Sequence, residues 1–335
     1  MALLMAQGFE EYADAEDLQR AIYAADFAAI VAGRDFGQAL NVTSIDSVFI
    51  GFGPEITDTI FCSFDYQVSS VSAYDMMRLG NAGDDDYFEM ELVAGGEISV
   101  NQGTTELGVT SGAGITGATW HHIQVKLVIS ATVGEVELRV DGNVELTLTN
   151  QDTVGVGTGV SRVQLFARGT ADTYFDNLVV WDDTGTILND FPTDRLVVET
   201  LWPNGDGTTN DFTPLSGLTN YQMIDDGSTP DDDTTYVSSS TLNAVDLYTM
   251  ENISQSLGAI VGVGVFVLAR LNEVKARQLR ALTRSGVTNY ESSPFYLSPG
   301  SYAYWTRYWE ADPDTAVAWT ESGVNAAEFG FTIEA

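Results

Sequence analysis

From Trp120 to Leu148 the chain reads WHHIQVKLVISATVGEVELRVDGNVELTL, and no other stretch restricts the fold as much. Ile123, Val125, Leu127 and Ile129 take every second place, with His122, Gln124, Lys126 and Ser130 between them. A period of two belongs to a half-buried strand and not to a helix. Val136, Leu138 and Val140 repeat the pattern against Glu135, Glu137 and Arg139, and Val144, Leu146 and Leu148 follow Asp141-Gly142-Asn143. If all of Asp141-Gly142-Asn143 forms the loop, Val140 faces Val144, Leu138 faces Leu146 and Val136 faces Leu148. A shorter loop sets Leu138 against Glu145, and a slip of one residue exposes the whole apolar set. The pattern therefore predicts the longer loop, with Gly142 or Asn143 at positive φ. It describes an antiparallel meander with one wet face, in the middle of a β-sandwich.

A chain of 335 residues exceeds what one sandwich needs, so two domains are expected. With 44% hydrophobic and 11% aromatic residues it can fill real cores, and its 32 glycines suit short strands joined by tight turns. The 14 basic residues against 48 acidic ones give a formal charge of −34. Such a chain repels phosphate backbones and anionic lipid, which argues against nucleic-acid partners and membrane insertion. The same acidity serves solubility in salt water equally well. Cys62, the only cysteine, excludes an intrachain disulfide and reads as a small buried hydrophobe. Met1-Ala-Leu-Leu-Met5 has no basic flank, and Ala259–Ala269 is too short to span a bilayer, so a soluble, cytoplasmically made protein is expected.

Residues 2–12 read as a first strand, and Ala15–Ala32 as a short helix or irregular crossing with Asp14 or Asp17 as N-cap. Short strands are predicted at Gly37–Val42, Asp46–Phe52, Thr57–Val68, Met76–Leu79, Tyr87–Val93, Glu97–Val100, Thr104–Val109, Val160–Ala167 and Tyr174–Trp181. Gly51–Pro54 reads as a turn, and Ile60, Cys62, Phe64 and Tyr66 share one strand face. So many strands with so little helix indicate a sandwich or jelly roll. The opening LLMAQGFEEYADAEDL, the WHHIQVK strand, the VELRVDGN hairpin and the YFDNLVVWD strand together resemble the concanavalin A/laminin-G-like jelly roll. In particular they are similar to the version found in virion proteins of tailed bacteriophages. The fold expected is thus all-β, with a concanavalin/laminin-G-like jelly roll over residues 1–195 and a smaller C-terminal β-sandwich over 196–335.

Between Arg195 and Arg270 there is no basic residue, while aspartates accumulate at 206, 211, 225, 226 and 231–233. Asn204–Asp211 and Asp225–Asp233 read as loops. The stretch from VVETLWPNGDGTTNDFTP onward is also similar to a segment recurring in phage structural proteins. Strands are expected at Ile260–Leu268, Ala276–Arg284, Asn289–Leu297, Tyr302–Trp309 and Phe329–Ile333, with a helical turn near Thr320. The alternating Val/Gly of Ile260–Leu268 suits close approach of neighbouring backbone. Leu271–Arg284 is open to a helix through Val274, Arg277, Gln278 and Leu282, but a hairpin turning at Asn272-Glu273 is preferred.

Few residues offer chemistry. His121 and His122 are adjacent on a strand and point to opposite faces, so they cannot share a metal; one packed and one surface histidine is expected. Asp84-Asp85-Asp86-Tyr87-Phe88-Glu89 approximates the Glu-x-Asp-x-x-Glu strand of concanavalin-like glycosidases, with aspartate for the first glutamate. The shorter side chain disturbs the separation of about 5–5.5 Å that retaining catalysis needs. Gly112–Gly117 imitates a glycine-rich fingerprint but precedes a strand where a helix is required. Asn204, Asp206, Asn210 and Asp211 offer hard oxygens for calcium, yet without the closing glutamate of an EF-hand loop. Tyr302, Tyr304 and Tyr308 fall on one face of their strand and Trp305 and Trp309 on the other, one set for the core and one for sugars or a subunit interface. Arg270, Lys275, Arg277, Arg280, Arg284 and Arg307 form a basic cluster that either meets an acidic neighbour or neutralises the domain's own acids.

No catalytic, cofactor-binding or metal-binding residue is assigned on this basis. The resemblance implies a virion protein without enzymatic activity: a fibre, appendage or capsid decoration subunit, located in the virion. Its partners would be other virion proteins, further copies of itself in a trimer, and host surface polysaccharide. A carbohydrate-binding receptor module is the alternative, and a glycoside hydrolase acting through Glu89 the third reading.

Overall fold

A computed structural model describes the chain except for residues 1–2, 22, 25–27, 36, 44–45, 82–85, 113, 155–158, 168–170, 256–257, 274 and 335. The chain divides into two compact units, Met1–Val198 and Glu199–Ala335. Both are built of β-strands, with short α-helices only at Ala15–Leu18 and Glu321–Ala326 among the described residues.

The first unit is a jelly-roll sandwich of two antiparallel sheets. One runs, in spatial order, Asn143–Gln151, Gly134–Val140, His121–Val128, Thr59–Val68, Thr173–Asp182, Gln38–Val42, Ala28–Ala32, with Leu3–Gln7 also paired to Thr173–Asp182. The other runs Thr105–Val109, Ile98–Gln102, Asp86–Leu92, Tyr74–Gly80, Val160–Ala167, Asp46–Ile56, Tyr23–Ala24. Period-two alternation turns Ile60, Cys62, Phe64 and Tyr66 to the interior beside Leu127, Val125, Ile123 and His121, their cross-strand partners. The second sheet answers with Met77, Leu79, Val163 and Leu165, all fully buried. Cys62 lies in this core, where burial pushes its thiol far above the ordinary range.

The Gly51–Pro54 turn is not formed; the strand continues to Ile56. Among the described residues of the expected crossing only Ala15–Leu18 is helical, capped by Asp14, whose Oδ1 accepts the N–H groups of Glu16 at 2.9 Å and Asp17 at 3.0 Å. Ala28–Ala32 is a strand instead, drawn into pairing with Gln38–Val42.

The meander departs from expectation at its tip. Asp141 and Gly142 alone turn the chain, both at positive φ (49° and 82°), and Val140 faces Asn143. A bulge opposite Leu138–Arg139 takes up Glu145 as the extra residue, so Leu138 still faces Leu146 and Val136 still faces Leu148. Both requirements are met: a tight turn of the right twist and apolar pairs in register. Val144 pays with 55% exposure. The hairpin also lies at the sheet's edge, not in its middle.

The second unit pairs Pro203–Asn210, Val245–Met250, Glu328–Glu334, Gln278–Ser285 and Thr288–Glu291 in one sheet, with Phe295–Tyr296 on Gln278–Ser285. A ribbon of Val263–Ala269 and Ala303–Trp309 packs on it through Val265 and Val267, joining Leu279, Phe329 and Ile333 in one core. The preferred hairpin at Asn272-Glu273 is therefore wrong: Val263–Ala269 and Gln278–Ser285 pair elsewhere. The helical alternative does not form either, since Gln278–Ser285 is a strand, and Val274 lies outside the described residues. Asn204–Asp211 is not a loop but largely the strand Pro203–Asn210, irregularly paired with Val245–Met250. At the close of the chain, Thr320 caps the helix Glu321–Ala326 through the N–H of Gly323 at 3.0 Å, and Glu328–Glu334 is the final strand.

Candidate functional site

The outward face of the first unit's second sheet carries a continuous row of polar and aromatic side chains. Glu89 stands opposite both Asn101 and Arg78, Arg78 opposite Gln164, and Gln164 opposite Phe49. Five strands thus contribute one residue each, and at 4.7–4.9 Å per strand the row spans about 19 Å. Arg78 is the centre. Its Nε and a terminal nitrogen bond Glu89 Oε1 at 2.8 and 2.6 Å, the same nitrogen bonds Asp75 Oδ2 at 3.1 Å, and the guanidinium lies 4.5 Å from the Phe166 ring centre. Arg162 lies over Phe49 at 4.7 Å, and Gln164 donates to Ser47 Oγ at 2.8 Å. Arg78 and Arg162 balance Glu89 and Asp75, so the row is close to neutral locally.

The outward face of the other sheet is closed. Asp65, 0% exposed, accepts from His122 Nδ1 at 2.9 Å, Arg34 at 2.8 Å, Asn177 Nδ2 at 2.9 Å and Arg195. Burial alone would raise its pKa, but the hydrogen bond and charge of His122 and the guanidiniums of Arg195 and Arg34 outweigh it and hold the carboxylate below its ordinary range. Asn177 reaches Asp65 from a bulge in Thr173–Asp182, at φ 51°, and its side-chain Oδ1 accepts the N–H of Val198 at 2.7 Å. Asparagine tolerates that backbone better than most residues.

Around this hub sit carboxyl groups that burial shifts toward the neutral form. Glu10 is raised to about 8, chiefly by burial and then by Glu11; Asp176 to about 7, by burial with Asp65 and Asp35 adding; Glu11 to about 7, by burial. Gly33 and Gly37 make room for them: a Cβ on Gly37 would stand 2.5 Å from Glu10 Cγ, and one on Gly33 2.9 Å from Asp176 Oδ2.

Both histidines are buried, against the expectation of one at the surface. They do point apart: His122 to Asp65, and His121 to Asp141 Oδ2 at 2.7 Å, with Thr116 N–H donating to its Nε2 at 3.2 Å. The end of the Gly112–Gly117 run thus orients a histidine, while Ala113 lies outside the described residues. In the glycosidase-like motif Asp84 and Asp85 lie outside the described residues, and the carboxylate of Glu89 is committed to Arg78.

The calcium candidates do not converge. Asn204 Oδ1 accepts from Thr249 Oγ1 at 2.8 Å and Asp206 from Tyr221 N–H at 2.8 Å. Asn210 donates to Gly207 O at 3.1 Å, and Asp211 accepts from Val245 N–H at 3.1 Å. No group of metal-binding side chains forms among the described residues. Trp305 stacks on Phe295 in the core at 5.2 Å, whereas Tyr304 faces outward against Phe266 at 6.2 Å. The arginines of the basic cluster are engaged within their own unit: Arg270 with Asp233, Arg277 with Glu273, Arg280 with Glu334 at 2.7 Å, Arg284 with Asn289, and Arg307 with backbone carbonyls at 293 and 294.

No protein-family model matches the chain, and no curated protein matches it. Among solved structures it is similar to an endo-beta-1,4-glucuronan lyase from the fungus Trichoderma reesei (TM-score 0.39, 13% identity, 48% of this chain and 89% of that one). It is similar also to a GH131 beta-glucanase catalytic domain from Podospora anserina (0.39, 8%, 53% and 95%) and to the carbohydrate-binding module CBM66 from Bacillus subtilis (0.33, 11%, 46% and 92%). The expectation of a chain without enzymatic activity is corrected by the first two, which are enzymes.

Proposed function

We propose that the first unit binds an extended, uncharged glycan along the row Asn101–Glu89–Arg78–Gln164–Phe49. The observation that carries this reading is the row itself: hydrogen-bonding groups at strand spacing, beside aromatic rings, over a length suited to several sugar rings. Hydroxyls both donate and accept, as this mixture of amide, carboxylate and guanidinium groups requires. A polyanion would meet a chain of charge −34 and an arginine already paired, so neutral sugars are the better match.

The test is a glycan array on the whole chain, followed by calorimetry on the best ligand with product release monitored in parallel. Arg78→Ala is expected to weaken binding about 10- to 100-fold, the equivalent of one or two good hydrogen bonds to a charged group. Unchanged affinity in that variant, or silence of the parent chain on neutral glycans, would remove the proposal.

The finer setting, a subunit of a tailed-phage fibre, appendage or decoration that contacts host polysaccharide, rests on the sequence resemblance. In it the second unit supplies the contacts of a trimer. Mass measurement in solution tests the trimer: a monomer at micromolar concentration would count against it.

A further inference from the structure

The closed face of the first sheet carries polar atoms that the protein leaves unsatisfied. Gln124 stands directly opposite Ser63, His122 opposite Asp65 and Trp181 opposite Phe61, so His122, Gln124 and Trp181 surround Ser63 as direct or diagonal neighbours. Their exposures are 0% for Ser63, 4% for His122, 3% for Gln124 and 0% for Trp181. Yet Ser63 Oγ, His122 Nε2, Gln124 Nε2 and Trp181 Nε1 have no hydrogen-bond partner among the described residues. An orphaned buried polar atom costs about 1–3 kcal/mol, and native folds carry few of them. To find them gathered on one patch, beside an Asp65 carboxylate that accepts four hydrogen bonds, points to something absent from the chain itself.

The patch is roofed by the segment 183–198, which has no regular structure. Phe191 packs edge-on against Phe61 at 5.3 Å and lies under Arg139 at 4.3 Å, Arg195 reaches Asp65, and Val198 is tied to Asn177. Phe61 in turn stacks on Trp181 at 5.3 Å and 4°. The roof is therefore pinned along the patch without bonding its four open atoms.

We propose that this buried patch is a binding site for a hydroxyl-bearing guest. Trp181 N–H and the Gln124 amide need acceptors. His122 Nδ1 must donate, since its partner is an ionised carboxylate, so Nε2 presents a lone pair in the neutral ring and an N–H in the charged one. Ser63 can do either. A hydroxyl oxygen meets all four demands, whereas an anion offers nothing to the lone pair and a cation nothing to the donors. The hydroxyls come from one of two sources, a cluster of ordered water or a small polyol such as a monosaccharide.

The sign of a stability change decides the matter. If Ser63 Oγ is truly orphaned, Ser63→Ala removes a cost, and melting stays put or rises. With a guest bridging it, Ser63→Ala loses an anchor, and the first unit is expected to melt about 3–6 °C lower. Gln124→Met, which keeps the length of the side chain and deletes the amide, is expected to move the same way. Unchanged or raised melting in both variants overturns the proposal. Melting in glycerol and in glucose separates the sources: a larger rise in the parent chain than in Ser63→Ala identifies a polyol guest, and equal rises identify water.

Discussion

Asp65→Ala is expected to lower the melting temperature of the first unit by about 10 °C or more. The carboxylate is fully buried and accepts from His122, Arg34, Asn177 and Arg195, so its removal leaves the His122 and Asn177 donors unpaired in the interior and takes a partner from two part-buried guanidiniums. Breaking a buried ion pair from one side costs about 3–5 kcal/mol. In a domain of this size each kcal/mol is worth about 2–4 °C. Asp65→Asn keeps the shape and one acceptor oxygen and should fall between alanine and the parent. Hydrogen exchange places the effect: amides of Thr59–Val68, His121–Val128 and the 183–198 segment should lose protection together. A variant melting within about 3 °C of the parent would mean that the hub does not hold these elements.

The first unit is also expected to lose stability as pH rises from 5 to 8, by on the order of 10 °C in melting temperature. Glu10, Glu11 and Asp176 all titrate higher in the folded state than their ordinary values of 4.5, 4.5 and 3.8, with burial as the leading cause. The folded chain then holds more protons than the unfolded one between those limits. Their stabilising effect is complete below the unfolded values and is lost as pH climbs through about 7 to 8. Asp65 has the opposite sign: its contribution is lost only in acid, as pH falls through its depressed folded value. The two windows do not overlap, so the alkaline loss is read cleanly. Glu10→Gln, neutral at every pH, should make the profile shallower, with Glu11 and Asp176 left to titrate; a parent profile already flat from pH 5 to 8 would contradict the burial of these carboxyls.

The alternation that organises the chain was legible because each strand's inner face follows from its own residues. Ile60 through Tyr66 and Ile123 through Leu127 could be placed by period alone. What covers the other face could not. Phe61, Ser63 and Asp65 look like a wet, mixed face, and their roof comes from residues more than a hundred positions later. The same separation hid the environment of His122. The candidate glycan row was invisible for a related reason: its members come from five strands, and no local spacing links Asn101 to Phe49. Pro203–Asn210 failed in the other direction. Its Asn, Gly and Asp residues favour turns, but partner strands override them, and Gly207 sits where a Cβ would come 2.6 Å from Leu247 O.

The bulge at Glu145 has a consequence for assembly. Asn143–Gln151 is the outermost strand of its sheet, with one row of backbone groups facing away from the fold. A flat strand there would be a template for the same strand of another copy, and copies could add without limit. The bulge at one end and Asn150 at φ 57° near the other leave little straight backbone to copy. Strand addition is disfavoured at this border, so a contact between copies along it would be made by side chains.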